Sequence, residues 1–95
     1  MASYVQIIDV RATARYAQAA DCVAGATWRD PVHLAEWSRE LDTSKPVLAY
    51  CVHGNAVSQS AALALRALGL DARFVAGGID ACRATGVTLK TKERR

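Results

Sequence analysis

The sequence lacks any apolar run of the roughly 18 to 20 residues that a membrane-spanning helix needs. Its first eleven residues, MASYVQIIDVR, have neither the basic start nor the long apolar stretch of a secretory signal. We therefore expect no membrane partner and a cytoplasmic protein. The chain also lacks the low hydrophobicity of disordered proteins, with 52% hydrophobic and 22% charged residues, so we expect a single compact domain over residues 1–95.

Cysteine and histidine are too few and too widely spaced for a metal site or a disulfide framework. The three cysteines, Cys22, Cys51 and Cys82, are odd in number and form no CxxC motif, and there are only two histidines, His33 and His53. We expect reduced thiols, with neither a metal nor another cofactor. Cys22 and Cys82 lack a setting that would make a thiol reactive, and we interpret them as structural or incidental.

The net charge of the chain is confined to its C-terminus, and the remainder is neutral overall. The formal net charge of +3 arises in the last six residues, where Lys90, Lys92, Arg94 and Arg95 are offset only by Glu93. The aromatic residues are scattered and form no basic, aromatic stripe, so we expect no nucleic-acid partner. The basic tail from about residue 87 has the composition of a segment that can be disordered.

Four short runs are predicted to be strands, and the first and third of them are apolar enough along their length to be buried on both faces. They are VQIIDV (5–10), GATW (25–28), VLAYCV (47–52) and ARFVAG (72–77). Segments with helical composition separate them, and such alternation is typical of parallel sheets with right-handed crossovers. The sequence therefore predicts an α/β fold with a parallel sheet of about four to five strands and helices on both faces.

The segments between these runs carry start and stop signals of helices. Asp30 is placed to cap a helix whose first residue is Pro31, Thr13 is placed to cap an earlier one, and Gly69 ends a third. The predicted helices are 11–21, 30–41, 58–68 and 78–85.

No charged residue occurs between Lys45 and Arg66, although the segment contains Cys51 at the end of a predicted strand. Ligands bind at this edge of open parallel sheets, and Gly54 and Asn55 suit a tight turn into a helix. Inward-pointing backbone amides at a helix N-terminus hold an anion, or a thiolate, without a side-chain cation. We therefore predict that Cys51 is a reactive, partly accessible thiol held by a loop of amides.

Three stretches, IIDVR, CVHGNAVSQSAALALRALG and ARFVAGGID, resemble in this order the rhodanese-like domain, and the resemblance covers residues 5–86. Members of that family show a D-V-R strand end, a C-x-x-G loop that opens a helix, and a downstream G-G-[IF] turn. Rhodaneses are sulfurtransferases whose loop cysteine takes a sulfane sulfur from thiosulfate or a related donor as a persulfide. They pass it to cyanide or a thiol, and the acceptor could be a protein.

The resemblance implies roles for individual residues. Cys51 would be the nucleophile, and the supporting residues would be Asp9, Arg11 and Ser58. The residues that would bind the substrate are those of the loop that follows the nucleophile, namely Val52, His53, Gly54, Asn55, Ala56 and Val57.

Structural interpretations stand beside these roles. A cysteine at a strand end is, by itself, more often a small buried hydrophobe than a nucleophile. Asp9 and Arg11 suit bracing of neighbouring loops, and His53 suits an exposed loop position as well as a substrate contact. The alternative function is a non-catalytic rhodanese-like module that carries sulfur, senses redox state or binds a partner.

The chain departs from the family pattern at three points. The loop from Cys51 to the AALAL helix is one residue longer than the common one, Cys82 replaces a tryptophan that often follows the glycine pair, and little sequence precedes DVR. The last departure predicts four strands with a shortened edge. Related phosphatases close a C-x5-R loop with an arginine, but Val57 occupies that position and residues 46–65 contain no acid, so we expect no phosphatase activity.

Overall fold

A computed structural model describes residues 5–52, 56–84 and 89–91. Four strands form an all-parallel sheet in the order β3-β1-β4-β5. In chain order these strands are β1 (Gln6–Asp9), β3 (Thr27–Trp28), β4 (Val47–Tyr50) and β5 (Ala72–Phe74). The predicted α/β fold with a parallel sheet is confirmed.

Two further strands, β2 (Asp21–Val23) and β6 (Leu89–Thr91), pair antiparallel in a separate small sheet. Neither of these two strands is predicted from the sequence. The tail proposed to begin at about residue 87 therefore contains a paired strand at 89–91, and the remainder of that tail lies outside the described residues.

The helices are α1 (Thr13–Gln18), α2 (Leu34–Trp37), α3 (Ala56–Ala67) and α4 (Gly78–Ala84). Of the helices that the structure describes, α3 is the longest with 12 residues, and none is long and apolar enough to span a bilayer. The predicted helix 30–41 is divided, because 3₁₀ turns at Pro31–His33 and Ser38–Glu40 flank α2.

The predicted caps have different outcomes. Asp30 caps the turn that begins at Pro31, since its Oδ1 accepts a hydrogen bond from the Val32 N–H at 3.0 Å. The predicted cap at Thr13 is wrong: the N-cap of α1 is Ala12, which has no side chain able to cap. The Thr13 hydroxyl instead donates to Asp30 Oδ2 at 3.3 Å, so it ties the start of α1 to the next turn.

The sheet separates two apolar clusters, because successive strand residues point to opposite faces. On one face α2 and α3 pack over Ile8, Val47, Ala49 and Cys51. On the other face α4 and β2 pack over Tyr50. Helices thus cover both faces, as predicted, and Cys51 lies under α3 rather than under α4.

Candidate active site

Cys51 directly follows β4, at the carboxyl edge of the parallel sheet. β4 is an interior strand with β1 on one side and β5 on the other, so this is the edge at which we predicted a reactive group. The side chain is only 4% exposed, and the prediction of a partly accessible thiol is therefore wrong. Packing of α3 over the end of β4 accounts for the burial, since both contribute to the same apolar cluster.

A hydroxyl group contacts the buried sulfur. The Cys51 Sγ–H donates a hydrogen bond to Ser58 Oγ at 3.2 Å, and Ser58, the third residue of α3, is 0% exposed. A serine hydroxyl both accepts and donates, so it can donate to the sulfur once the thiol ionises. The first turn of α3 therefore supplies a side-chain donor in addition to the positive end of the helix dipole.

Replacing Ser58 with alanine is expected to slow alkylation of Cys51 by iodoacetamide at pH 7 by roughly 10-fold or more. A hydrogen bond to a charged group contributes about 1.5–3 kcal/mol, and only the thiolate reacts. The rate is followed by mass spectrometry of the Cys51 peptide. Ser60→Ala is the matched control, because Ser60 is an exposed serine in the same helix. Equal Cys51 rates in the two variants would show that the Ser58 hydroxyl does not stabilise the thiolate.

The proposed substrate loop is described only in part. Val52 and Val57 are half-buried and Ala56 is exposed, whereas His53, Gly54 and Asn55 lie outside the described residues. Helix α3 begins at Ala56, two residues before its predicted start, so Ala56 and Val57 belong to its first turn. Val57 packs against the cluster that contains Cys51, which brings this end of the loop to the sulfur.

Asp9 and Arg11 form a buried ion pair, with Arg11 Nη2 at 2.7 Å from Asp9 Oδ2 and exposed fractions of 2% and 1%. Burial opposes the charge of Arg11, but the hydrogen bonds and charge of Asp9 outweigh it and raise the pKa of Arg11. Tyr50 donates to Asp9 Oδ2 at 3.1 Å, and burial raises the pKa of Tyr50, so its hydroxyl remains protonated.

This ion pair connects β1 to β2. Arg11 Nη2 donates to the Asp21 carbonyl at 3.0 Å, and the Val23 N–H donates to the Tyr50 hydroxyl at 3.1 Å. Tyr50 belongs to the cluster on the α4 face, opposite the face that holds Cys51. Asp9 and Arg11 therefore contact each other, and they lie against β2 rather than beside the Cys51 sulfur.

The other two cysteines belong to other elements of the fold. Cys22 is in β2 and Cys82 is in α4, both are 7% exposed, and all three cysteines are thiols rather than disulfides. Burial raises the pKa of the Cys82 thiol, which favours its protonated and less nucleophilic form. In the described part of the chain, no group of three His, Cys, Asp or Glu residues is arranged to hold a metal ion.

An apolar groove of about 540 Å³ runs beside the first two turns of α3. None of the residues that line it is charged: Ala12, Pro31, Val32, Leu34, Ala56, Val57, Ser60, Ala61 and Ala64. The described lining of the groove therefore offers no cation to an anionic donor, whereas backbone amides and hydroxyl groups at a helix N-terminus can hold an anion without one.

Contacts between the β4–Cys51 backbone and the segment that leads from β5 into α4 are not predicted by the sequence. The Ile79 N–H donates to the Cys51 carbonyl at 2.8 Å, and the Val75 N–H donates to the Ala49 carbonyl at 2.9 Å. The only signal in the sequence is the pair Gly77 and Gly78, which belongs to the G-G-[IF] turn of the family pattern.

Comparison with known sequences gives one family. The model of the rhodanese-like domain matches residues 1–85. Thiosulfate sulfurtransferase GlpE of Pseudomonas fluorescens is 38% identical over 80 residues, a match that covers 83% of this chain and 71% of that protein. The protein of the same name from Pseudomonas entomophila is 36% identical over the same shares of the two chains.

Comparison with solved structures agrees with the family that the sequence comparison gives. A full-length protein from Lactobacillus plantarum superposes with a TM-score of 0.83 at 25% identity, over 96% of this chain and 76% of that chain. A rhodanese-related protein from Thermoplasma volcanium gives a TM-score of 0.79 at 26% identity, over 94% of this chain and 86% of that chain. The fold and the sequence therefore lead to the same group of proteins.

Proposed function

This chain belongs to the rhodanese-like domain family, and from that premise we propose that it is a sulfurtransferase that works through a persulfide on Cys51. The observation that carries the proposal is the position of Cys51 at the carboxyl edge of β4, with its sulfur 3.2 Å from the Ser58 hydroxyl. Similarity to thiosulfate sulfurtransferases supports thiosulfate, or a related sulfane-sulfur compound, as the donor.

In the first half-reaction the Cys51 thiolate attacks the outer sulfur of thiosulfate. The new Cys51 S–S bond forms as the sulfur–sulfur bond of thiosulfate breaks, and sulfite leaves with the electron pair of that bond. The Ser58 hydroxyl donates to the attacking sulfur. We propose that backbone amides of residues 52–57, that is Val52, His53, Gly54, Asn55, Ala56 and Val57, hold the donor during this step.

In the second half-reaction a nucleophile attacks the outer sulfur of the persulfide. Cyanide leaves as thiocyanate and a thiolate leaves as a new persulfide, and in both cases the electron pair of the broken bond restores the Cys51 thiolate. The two steps balance without an oxidant or a reductant. Small thiols, cyanide or a protein thiol can each serve as the acceptor in this scheme.

The proposal is tested by assaying thiocyanate formation from thiosulfate and cyanide beside hydrolysis of p-nitrophenyl phosphate under the same conditions. We expect thiocyanate formation without measurable hydrolysis. Phosphoryl transfer needs donors for the charge that builds on the transferring group, and losing one such donor costs roughly 10²- to 10³-fold in rate. Val57 occupies the position of the required arginine, and the adjacent groove has an uncharged lining. Hydrolysis that depends on Cys51 and exceeds thiocyanate formation would contradict the proposal.

A non-catalytic role is favoured by one observation, namely the 4% exposure of Cys51. A thiol this buried resembles a small core residue unless donors reach it through the loop. The two functions differ in turnover: a binding or redox-sensing module forms no thiocyanate although the protein is folded. The same assay, run on protein whose folding has been checked by circular dichroism, therefore separates them.

A further inference from the structure

The turn between β5 and α4 is bonded to the exit of β4 at two successive points. After the last paired residues of the two strands, Ala49 and Phe74, the Val75 N–H still reaches the Ala49 carbonyl, and the Ile79 N–H then reaches the Cys51 carbonyl at 2.8 Å. This continues the interstrand bonding past the end of the sheet. The Cys51 backbone is therefore held by a neighbouring element and not only by its own loop.

Gly78 lies where the two segments approach each other closely. Its φ of +61° is a conformation that residues with side chains rarely adopt. A Cβ at this position would overlap the carbonyl oxygens of both Cys51 and Val52, and its distance to the Val52 oxygen would be 2.5 Å, whereas ordinary contact begins at about 3.4 Å. Any side chain at position 78 must therefore move the Cys51–Val52 backbone, or α4, by roughly 1 Å.

We propose that Gly78 is a positioning residue for the nucleophile. Because Gly78 has no side chain, the β5–α4 turn can approach closely enough for the Ile79 N–H to bond the Cys51 carbonyl, and this hydrogen bond holds the Cys51 sulfur beside Ser58. The inference rests on the proposed function of Cys51 as the nucleophile. A displacement of about 1 Å matters because misplacing a reacting group by that distance can cost roughly 10²-fold in rate.

The experiment compares Gly78→Ala with Gly69→Ala in the full chain. Gly69 has a φ of +94° and no atom within 4 Å of an added Cβ, so its substitution imposes the backbone strain without the clash. Gly69→Ala should melt roughly 5 to 15 °C lower than the wild type because of its positive φ, and Gly78→Ala should melt lower still because its Cβ also clashes with the Cys51–Val52 backbone. Only Gly78→Ala should lower kcat for thiocyanate formation, by roughly 10- to 100-fold, with a smaller change in KM for thiosulfate.

The ratio of the alkylation rates of Cys51 and Cys22 is a second measurement, and a general loss of stability should not change it. In Gly78→Ala the rate at Cys51 should fall several-fold relative to the rate at Cys22, measured in the same molecules at a temperature where the protein is folded. Cys22 serves as the internal reference because it lies in β2. The proposal would be overturned if Gly78→Ala and Gly69→Ala had the same kcat and the same ratio of Cys51 to Cys22 alkylation rates. That result would leave the sulfurtransferase assignment intact. A wild type without thiocyanate formation would overturn the function, while the alkylation ratio would still test the positioning.

Hydrogen exchange of the wild type tests the hydrogen bond between the Ile79 amide and the Cys51 carbonyl, whether or not Gly78→Ala folds. The Ile79 amide should be protected to the same degree as amides within β4, because it is bonded to the Cys51 carbonyl. Exchange of the Ile79 amide as fast as that of the exposed turn at Gly25 would contradict the proposal.

Discussion

Replacing Cys51 with serine is expected to abolish sulfur transfer, with a loss of at least about 10³-fold in thiocyanate formation. The reaction requires a polarisable thiolate that attacks a sulfur atom and then carries the transferred sulfur, and a serine hydroxyl, un-ionised at neutral pH, can do neither. The change replaces one small buried side chain with another, so the stability of the domain should change far less than the activity. Thiocyanate formation is measured by the colour of its complex with ferric ion.

Cys22→Ser and Cys82→Ser are the matched controls, since all three cysteines are similarly buried. Each control should retain most of the activity, because Cys22 lies in β2 and Cys82 lies in α4, on the other face of the sheet from the Cys51 sulfur. Full activity in Cys51→Ser would refute the assignment of the nucleophile. Loss of activity in Cys82→Ser alone would instead give Cys82 a chemical role that its raised pKa argues against.

Replacing Arg11 with methionine is expected to lower the free energy of unfolding by about 3–5 kcal/mol, the range typical of breaking a buried ion pair. Methionine matches the length of the arginine stem but leaves the Asp9 carboxylate buried without its cation, and it removes the hydrogen bond to the Asp21 carbonyl. The whole free energy of unfolding of a domain of this size is roughly 5–14 kcal/mol, so the expected loss is a large share of it. Urea unfolding, followed by tryptophan fluorescence, measures it.

The control for this change is the exposed ion pair of Arg29 and Glu40, whose side chains are 30% and 63% exposed. Glu40→Gln should change the free energy of unfolding by less than about 1 kcal/mol, because water already screens this pair. At a temperature where Arg11→Met is folded, its kcat should remain near the wild-type value, since the ion pair lies on the face opposite Cys51. A large loss of kcat in a fully folded Arg11→Met protein would show that Arg11 acts on the reaction and not only on β2.

The parallel sheet could be predicted because each of its strands is a short apolar run between turn signals. β2 and β6 could not, because three-residue strands carry no periodicity and their pairing joins residues that lie far apart in the sequence, such as Cys22 and Lys90. The pairing depends on how the segment Leu89–Thr91 comes to lie beside β2. Such a return is decided by tertiary packing and leaves no local pattern.

The position of Cys51 could be predicted because it ends an apolar run and precedes a glycine-containing loop. Its burial could not, since that depends on how closely α3 packs over β4. The approach of Gly78 to Cys51 could not be predicted either, because residues 51 and 78 become neighbours only when β5 pairs with β4. For Asp9 and Arg11 the sequence indicated a structural role in holding neighbouring loops. The structure adds that their ion pair lies against β2, on the face of the sheet opposite the Cys51 sulfur.

Mass spectrometry of the wild-type protein after incubation with thiosulfate, in the absence of an acceptor, is the most direct test of the central claim. We expect the intact protein to gain the mass of one sulfur atom, peptide mapping to place that atom on the Cys51 peptide, and cyanide to remove it. No gain in mass on a folded protein, or a gain on the Cys22 or Cys82 peptide while Cys51 remains unmodified, would contradict a persulfide on Cys51 as the intermediate.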